Sequence, residues 1–229
     1  MKRQKVCNHT NKKMPDFYWK LLLNLSNFLI LIPIILGVLS WQKKPLLIRF
    51  FVIYFILYFM IFLCSMKLRL GEYQGIFNIV IAFIDCIFFL TLYYFNSEKF
   101  KIIYFWSGIV VCLGLIIDYT LNFRNGNGSF LSLTLKNIFM LILSLVTLIE
   151  WFPKVKIKSL YTAPIFIISI TKLVLVSYSV LFEALRPLLT KDYLNVFLIM
   201  YVCDLLFHGF GNLTYSFAIY KGSRKIITS

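Results

Sequence analysis

Asp204, His208 and Asn212 recur at every fourth position in the last apolar run of the chain, so on a helix they share one stripe. A carboxylate and an imidazole one turn apart can share a proton or hold a cation. An amide one turn further on can hydrogen-bond a ligand or a neighbouring helix. Asp85, Lys136 and Lys172 interrupt other apolar runs in the same way. A lone Asp or Lys at the centre of a bilayer costs about 2.5 to 3.5 kcal/mol even on insertion scales, so these side chains are expected to face a bundle interior and to pair there.

The spacing ranks them. Asp85 and Lys172 are the most central in their runs, and Asp204 with His208 completes the expected cluster, with Asn212 beside it. Lys136 lies nearer the start of its run, where its stem can snorkel, and Asp118 stands at the far end of another; both are secondary candidates. Three chemistries fit such a cluster: a site for a small molecule or ion, structural pairing that holds helices or docks a partner subunit, and intramembrane catalysis. Catalysis by Asp85 with Asp204 requires the two carboxyls to touch and one to hold a raised pKa, whereas a lysine partner would depress both. A serine–lysine dyad of Ser169 with Lys172 does not follow from their spacing alone. Asp204 and His208 could chelate an ion with a third ligand from Asp85 or Asp118. However, the chain has 2 histidines, one of them His9 near the amino terminus, and it has neither an HExxH motif nor clustered cysteines, so neither a metal nor a cofactor is implied.

The composition supplies the elements that must hold these groups. The chain has 229 residues, is 60% hydrophobic with a mean hydropathy of +0.83, and carries 24 Phe and 14 Tyr, far outside the soluble globular range. A net charge of +15 comes from lysines and arginines lying mostly between the apolar runs, where anionic lipid headgroups are the expected neighbours. No zinc-finger spacing, arginine-rich segment or aromatic platform for nucleic acid is present. The 5 cysteines are scattered singly and read as buried thiols rather than a disulfide framework.

About 20 residues of helix cross roughly 30 Å of hydrocarbon, and seven segments reach that length. They begin with 17–39, kinked by Pro33, and continue with 46–65, 76–95, 100–119, 130–149 and 160–182. The seventh, 192–220, is one tilted helix with a bend expected near Gly209 and Gly211. The reading is an all-α polytopic membrane bundle: a basic polar tail (1–16), a seven-span domain (17–220) and a basic carboxyl tail (221–229). Asn8-His9-Thr10 and Asn127-Gly128-Ser129 match the glycosylation acceptor pattern. Lysines and arginines number 11 on each side of the membrane, but 5 against 11 once the amino-terminal tail is set aside. That second count favours an external amino terminus and a cytoplasmic carboxyl terminus.

Seven spans, an Asp in the third, and Asp204-Leu205-Leu206-Phe207-His208 in the last resemble part of the microbial-rhodopsin pattern, whose last helix carries an Asp and, four residues on, the retinal lysine. Here His208 holds the lysine's place and cannot form a Schiff base, Lys172 lies on the sixth span, and the third-span arginine is missing. The likeness covers three positions and does not make the chain a member. The expected function is a transporter or receptor-like membrane protein with a polar intramembrane binding cluster and no enzymatic activity. The alternatives are a non-catalytic subunit that pairs with a partner through its buried charges, and an intramembrane lipid-modifying enzyme.

Overall fold

The computed structural model describes residues 25–26, 28–67, 74–122, 130–153 and 163–222. The amino-terminal tail, the carboxyl tail beyond Gly222 and both glycosylation-type triplets lie outside that set, as does most of the stretch expected to begin the first span. Among the described residues seven helices form the bundle: α1 (Leu31–Leu39), α2 (Leu46–Lys67), α3 (Gln74–Asn96), α4 (Lys101–Asn122), α5 (Phe130–Trp151), α6 (Pro164–Asp192) and α7 (Leu194–Lys221). A short 3₁₀ turn, Trp41–Lys43, joins α1 to α2. Six helices, α2 to α7, are long and apolar enough to cross a membrane, and no strand occurs among the described residues. The protein is a polytopic helical membrane protein.

Proline explains where α1 starts. Pro33 has no N–H to give the carbonyl of Leu29, and its ring crowds that carbonyl. Leu29 O is met instead by Ile32 N at 3.2 Å, and a turn at Leu29 and Ile30 precedes the helix. The expected kink is therefore a break on the amino-terminal side of the proline.

The end of α6 departs from expectation. The apolar run stops at Phe182, yet the helix continues to Asp192, passing through Pro187. Glu183 and Arg186, one turn apart, pair at 3.2 Å beyond the apolar stretch. Only Tyr193 then separates α6 from α7, which makes the two a tight antiparallel hairpin. The last helix is a single α-helix with no interruption at Gly209 or Gly211. Gly211 serves close packing instead: a Cβ there would lie 2.6 Å from a methyl carbon of Leu175 on α6.

Packing runs in a ring. Helix α1 packs on α2, α2 on α3, α3 on α5, α5 on α6, α6 on α7, and α7 returns to α1. Helix α4 lies outside this ring, against α3 and α5. The ring closes on α1 through Ser26 Oγ, which donates to Leu205 O at 2.8 Å, and through the first link, where the Lys44 ammonium donates to Ile219 O at the end of α7. A cation suits that position, since the carboxyl end of a helix carries partial negative charge. Burial nonetheless holds the Lys44 ammonium below the usual lysine pKa.

One half of the interior is filled. Phe51 contacts Phe89 and Tyr215 edge-on at 6.3 and 5.2 Å, and Phe88 stacks on Phe50 and on Tyr54 at 4.4 Å each. Hydroxyl pairs tie this half across helices, Tyr93 with Ser144 at 3.1 Å and Tyr104 with Thr147 at 2.9 Å. The other half, toward the ends where α2 leads to α3 and α6 leads to α7, is open.

Candidate functional site

The open half holds a cavity of about 400 Å³. Its lining includes all of the primary sequence candidates, Asp85, Lys172, Asp204, His208 and Asn212, together with Lys136. These residues come from α3, α5, α6 and α7, and α2 adds Tyr54 and Tyr58.

Asp85 is the floor of the cavity. It is 4% exposed, and each oxygen of its carboxylate is engaged. Oδ1 accepts a hydrogen bond from Tyr54 Oη at 2.5 Å. Oδ2 accepts one from Lys136 Nζ at 3.2 Å and lies 3.6 Å from Lys172 Nζ. The Lys172 ammonium also sits over the ring of Phe89, 4.2 Å from its centroid, a favourable cation–π placement. Two cations therefore share one carboxylate, and the floor carries a surplus positive charge.

Lys136 corrects its secondary ranking. It does not snorkel toward the membrane edge but is the cation nearest to Asp85. The helices explain this. α3 and α5 run in the same direction, with Asp85 eleven residues from the start of α3 and Lys136 six from the start of α5. The offset of five residues is about 7 Å along a helix, and the lysine stem bridges it by reaching toward the floor. Asp118 is also corrected as a neighbour of the site. It is buried on α4, the helix outside the ring, and does not line the cavity.

Helix α7 faces α3 across the ring, so Asp204 and His208 form the opposite wall. Their stripe along α7 has the expected one-turn spacing, and His208 Nε2 stands 3.8 Å from Asp204 Oδ1, beyond hydrogen-bonding distance. Half of the His208 side-chain surface remains open, whereas the Asp204 side chain is 19% exposed. Asp85 and Asp204 thus stand on separate sides of the cavity, Asp85 with two lysines and Asp204 beside the titratable His208. Ser169, three residues before Lys172 in the sequence, donates its hydroxyl to Ile165 O at 2.8 Å. Asn212 lines the cavity deeper along the same stripe.

Three tyrosines, Tyr54, Tyr58 and Tyr215, complete the site. Tyr54 orients Asp85. Tyr58, one turn further on the same face of α2, lies within electrostatic range of Asp204. Tyr215 is 5% exposed, and its hydroxyl has no hydrogen-bond partner among the described residues although it borders the cavity. A buried hydroxyl without a partner carries a desolvation cost that a bound polar group or water would relieve.

A second polar centre lies at the opposite end of the bundle. Glu150, at the end of α5, accepts Ser97 Oγ at 2.5 Å with one oxygen, and the backbone N–H groups of Glu98 and Lys99 at 2.8 and 3.3 Å with the other. It thereby anchors the link that starts α4. Its signal in the sequence is a lone acid closing an apolar run next to Trp151.

Compared with known protein families, with characterised proteins and with solved structures, the chain matches none of them. The function is therefore argued from the cavity itself.

Proposed function

We propose that the protein binds a small polar molecule inside the membrane, as a transporter or receptor-like protein. The surplus positive charge at the floor of the cavity is the observation that carries this reading. Lys136 and Lys172 both lean on Asp85, and an ammonium has three N–H donors, so each keeps donors for an incoming oxyanion. The volume of about 400 Å³ falls within the range of small-molecule sites. Asp85 sets the positions of the lysines, and Tyr54 orients Asp85. Asp204 and His208 stand opposite as countercharge and proton-responsive partner.

An external amino terminus and a cytoplasmic carboxyl terminus belong to the same proposal. Apart from the tail, the links at the open end carry 5 basic residues and the other side carries 11. The cavity then opens to the outside.

The experiment is native mass spectrometry of the protein gently extracted from its own membrane, performed on the wild type and on Lys172→Met. A small mass bound to the wild type and lost from a folded Lys172→Met variant supports the reading. A protein subunit that co-purifies with the wild type and is lost from the variant favours assembly through buried charges. Conversion of a bound lipid that stops in the variant favours the enzyme. A wild type and variant alike in all three respects would sink the role given to Lys172.

A further inference from the structure

The charges in the cavity fall into two groups, a floor with an excess of ammonium groups and a wall with a carboxylate, and together they define a ligand class. On the floor, two ammonium groups converge on one carboxylate oxygen. On the facing wall, Asp204 accepts no hydrogen bond among the described residues, and its nearest cation, His208, is 3.8 Å away. Around Asp204 the cavity is lined by aromatic residues, Tyr58 from α2 and Tyr201 one turn before Asp204 on α7. A carboxylate among aromatic rings is a site for an ammonium group, since ring faces and carboxylate attract the same charge. The lining also carries apolar side chains, Leu175, Val176 and Leu205 among them.

We infer that the ligand is a zwitterion, held with its oxyanion on Lys136 and Lys172 and its ammonium group on Asp204 beside Tyr58 and Tyr201. This inference rests on the binding role proposed above and names the second half of the same site. An α-amino acid with an apolar side chain has this chemistry, and so does the phosphoethanolamine headgroup of a lipid. Neither pole alone satisfies the cavity. An anion leaves Asp204 without a full partner, and a cation leaves the floor with its surplus charge.

The test uses full-length protein in nanodiscs made only of anionic lipid and titrated calorimetrically with matched probes. Phenylalanine carries both charges, 3-phenylpropanoate lacks the ammonium, and 2-phenylethylamine lacks the carboxylate; glycerophosphoethanolamine represents the headgroup. At least one zwitterion is expected to bind about tenfold or more tighter than either singly charged probe, in line with a charged hydrogen bond at each end. Asp204→Asn, nearly the same shape, should remove the advantage over 3-phenylpropanoate by weakening phenylalanine about tenfold or more, while the anion, relieved of a nearby carboxylate, binds at least as tightly as before. If phenylalanine shows this pattern the source is a free amino acid, and if only glycerophosphoethanolamine does, the source is a lipid headgroup; either supports the inference. If 3-phenylpropanoate binds as tightly as phenylalanine and Asp204→Asn changes nothing, the zwitterion is overturned and the anion site stands. If neither zwitterion nor anion binds, both readings fall, and tightest binding by 2-phenylethylamine overturns both as well.

Discussion

His208 is the residue whose behaviour is most sensitive to conditions. It stands one turn from Asp204 on its own helix and faces Lys136 on α5, Lys172 on α6 and Asp85 on α3 across the cavity. An imidazole titrates near pH 6.5 in the absence of perturbation. As pH falls, a protonated His208 competes with a ligand ammonium for Asp204 and repels it, so zwitterion affinity should fall as the pH is lowered through the titration of this imidazole. In His208→Gln the same titration should give a flat profile. Identical slopes in wild type and variant would remove His208 from the coupling. At this scale the sequence was informative about charge and poor about hydroxyls. Asp85, Lys172, Asp204 and His208 announce themselves because charge in an apolar run must face inward. Tyr54, Tyr58 and Tyr215 do not, since 14 tyrosines lie among 24 phenylalanines and both types suit lipid, interface and core. The i,i+4 spacing of Tyr54 and Tyr58 was the available signal. Lys136 was underrated because distance from a span end ignores which way a long stem leans, and that is decided by the neighbouring helix.

Helices that line the ring and the helix outside it are held differently. Helix α4 gives nothing to the cavity, and the link just before it, Ser97 to Lys99, is fixed by the carboxylate of Glu150 on α5. Negative charge at a helix start is favourable, and hydrogen bonds to a charged acceptor are worth about 1.5 to 3 kcal/mol each in the buried case. Glu150→Gln removes the charge, turns part of the acceptor into a donor, and should lower stability by about 1 to 3 kcal/mol. Ligand affinity should change less than about twofold, because the site lies in the other half of the bundle. Thermal unfolding and the titration above read the two effects separately, and a loss of affinity at unchanged stability would contradict this division. Apolar length identified six spanning helices directly, since hydrocarbon thickness fixes the number of residues needed. It misjudged the end of α6, where a Glu183–Arg186 pair carries the helix past its apolar stretch.

The whole molecule is a closed ring with one open end, and its direction in the membrane decides what the cavity meets. With the amino terminus outside, a cysteine introduced at Tyr193, which is exposed in the α6–α7 link at the open end, should react with an impermeant maleimide on intact cells. A cysteine at Gln42, exposed in the 3₁₀ turn at the other end, should react only after the membrane is opened. The native cysteines are replaced in this background, and the reverse pattern would invert the orientation. Ring order was not legible in the sequence. Spans were countable, but which helix stands opposite which depends on side-chain packing between segments far apart, and no internal repeat supplies that order.

Closure of the ring between α1 and α7 has a consequence for how the protein is made. The two helices come from opposite ends of the described chain, and Ser26 finds Leu205, and Lys44 finds Ile219, across more than 170 positions. While translation proceeds, α2 to α6 can enter the bilayer with Asp85 and both lysines already in place, yet one side of the ring faces lipid until α7 is released from the ribosome. The cavity therefore comes into existence only when α7 joins the helices made before it, and a chain interrupted before α7 displays its paired charges to the insertion machinery through a missing wall.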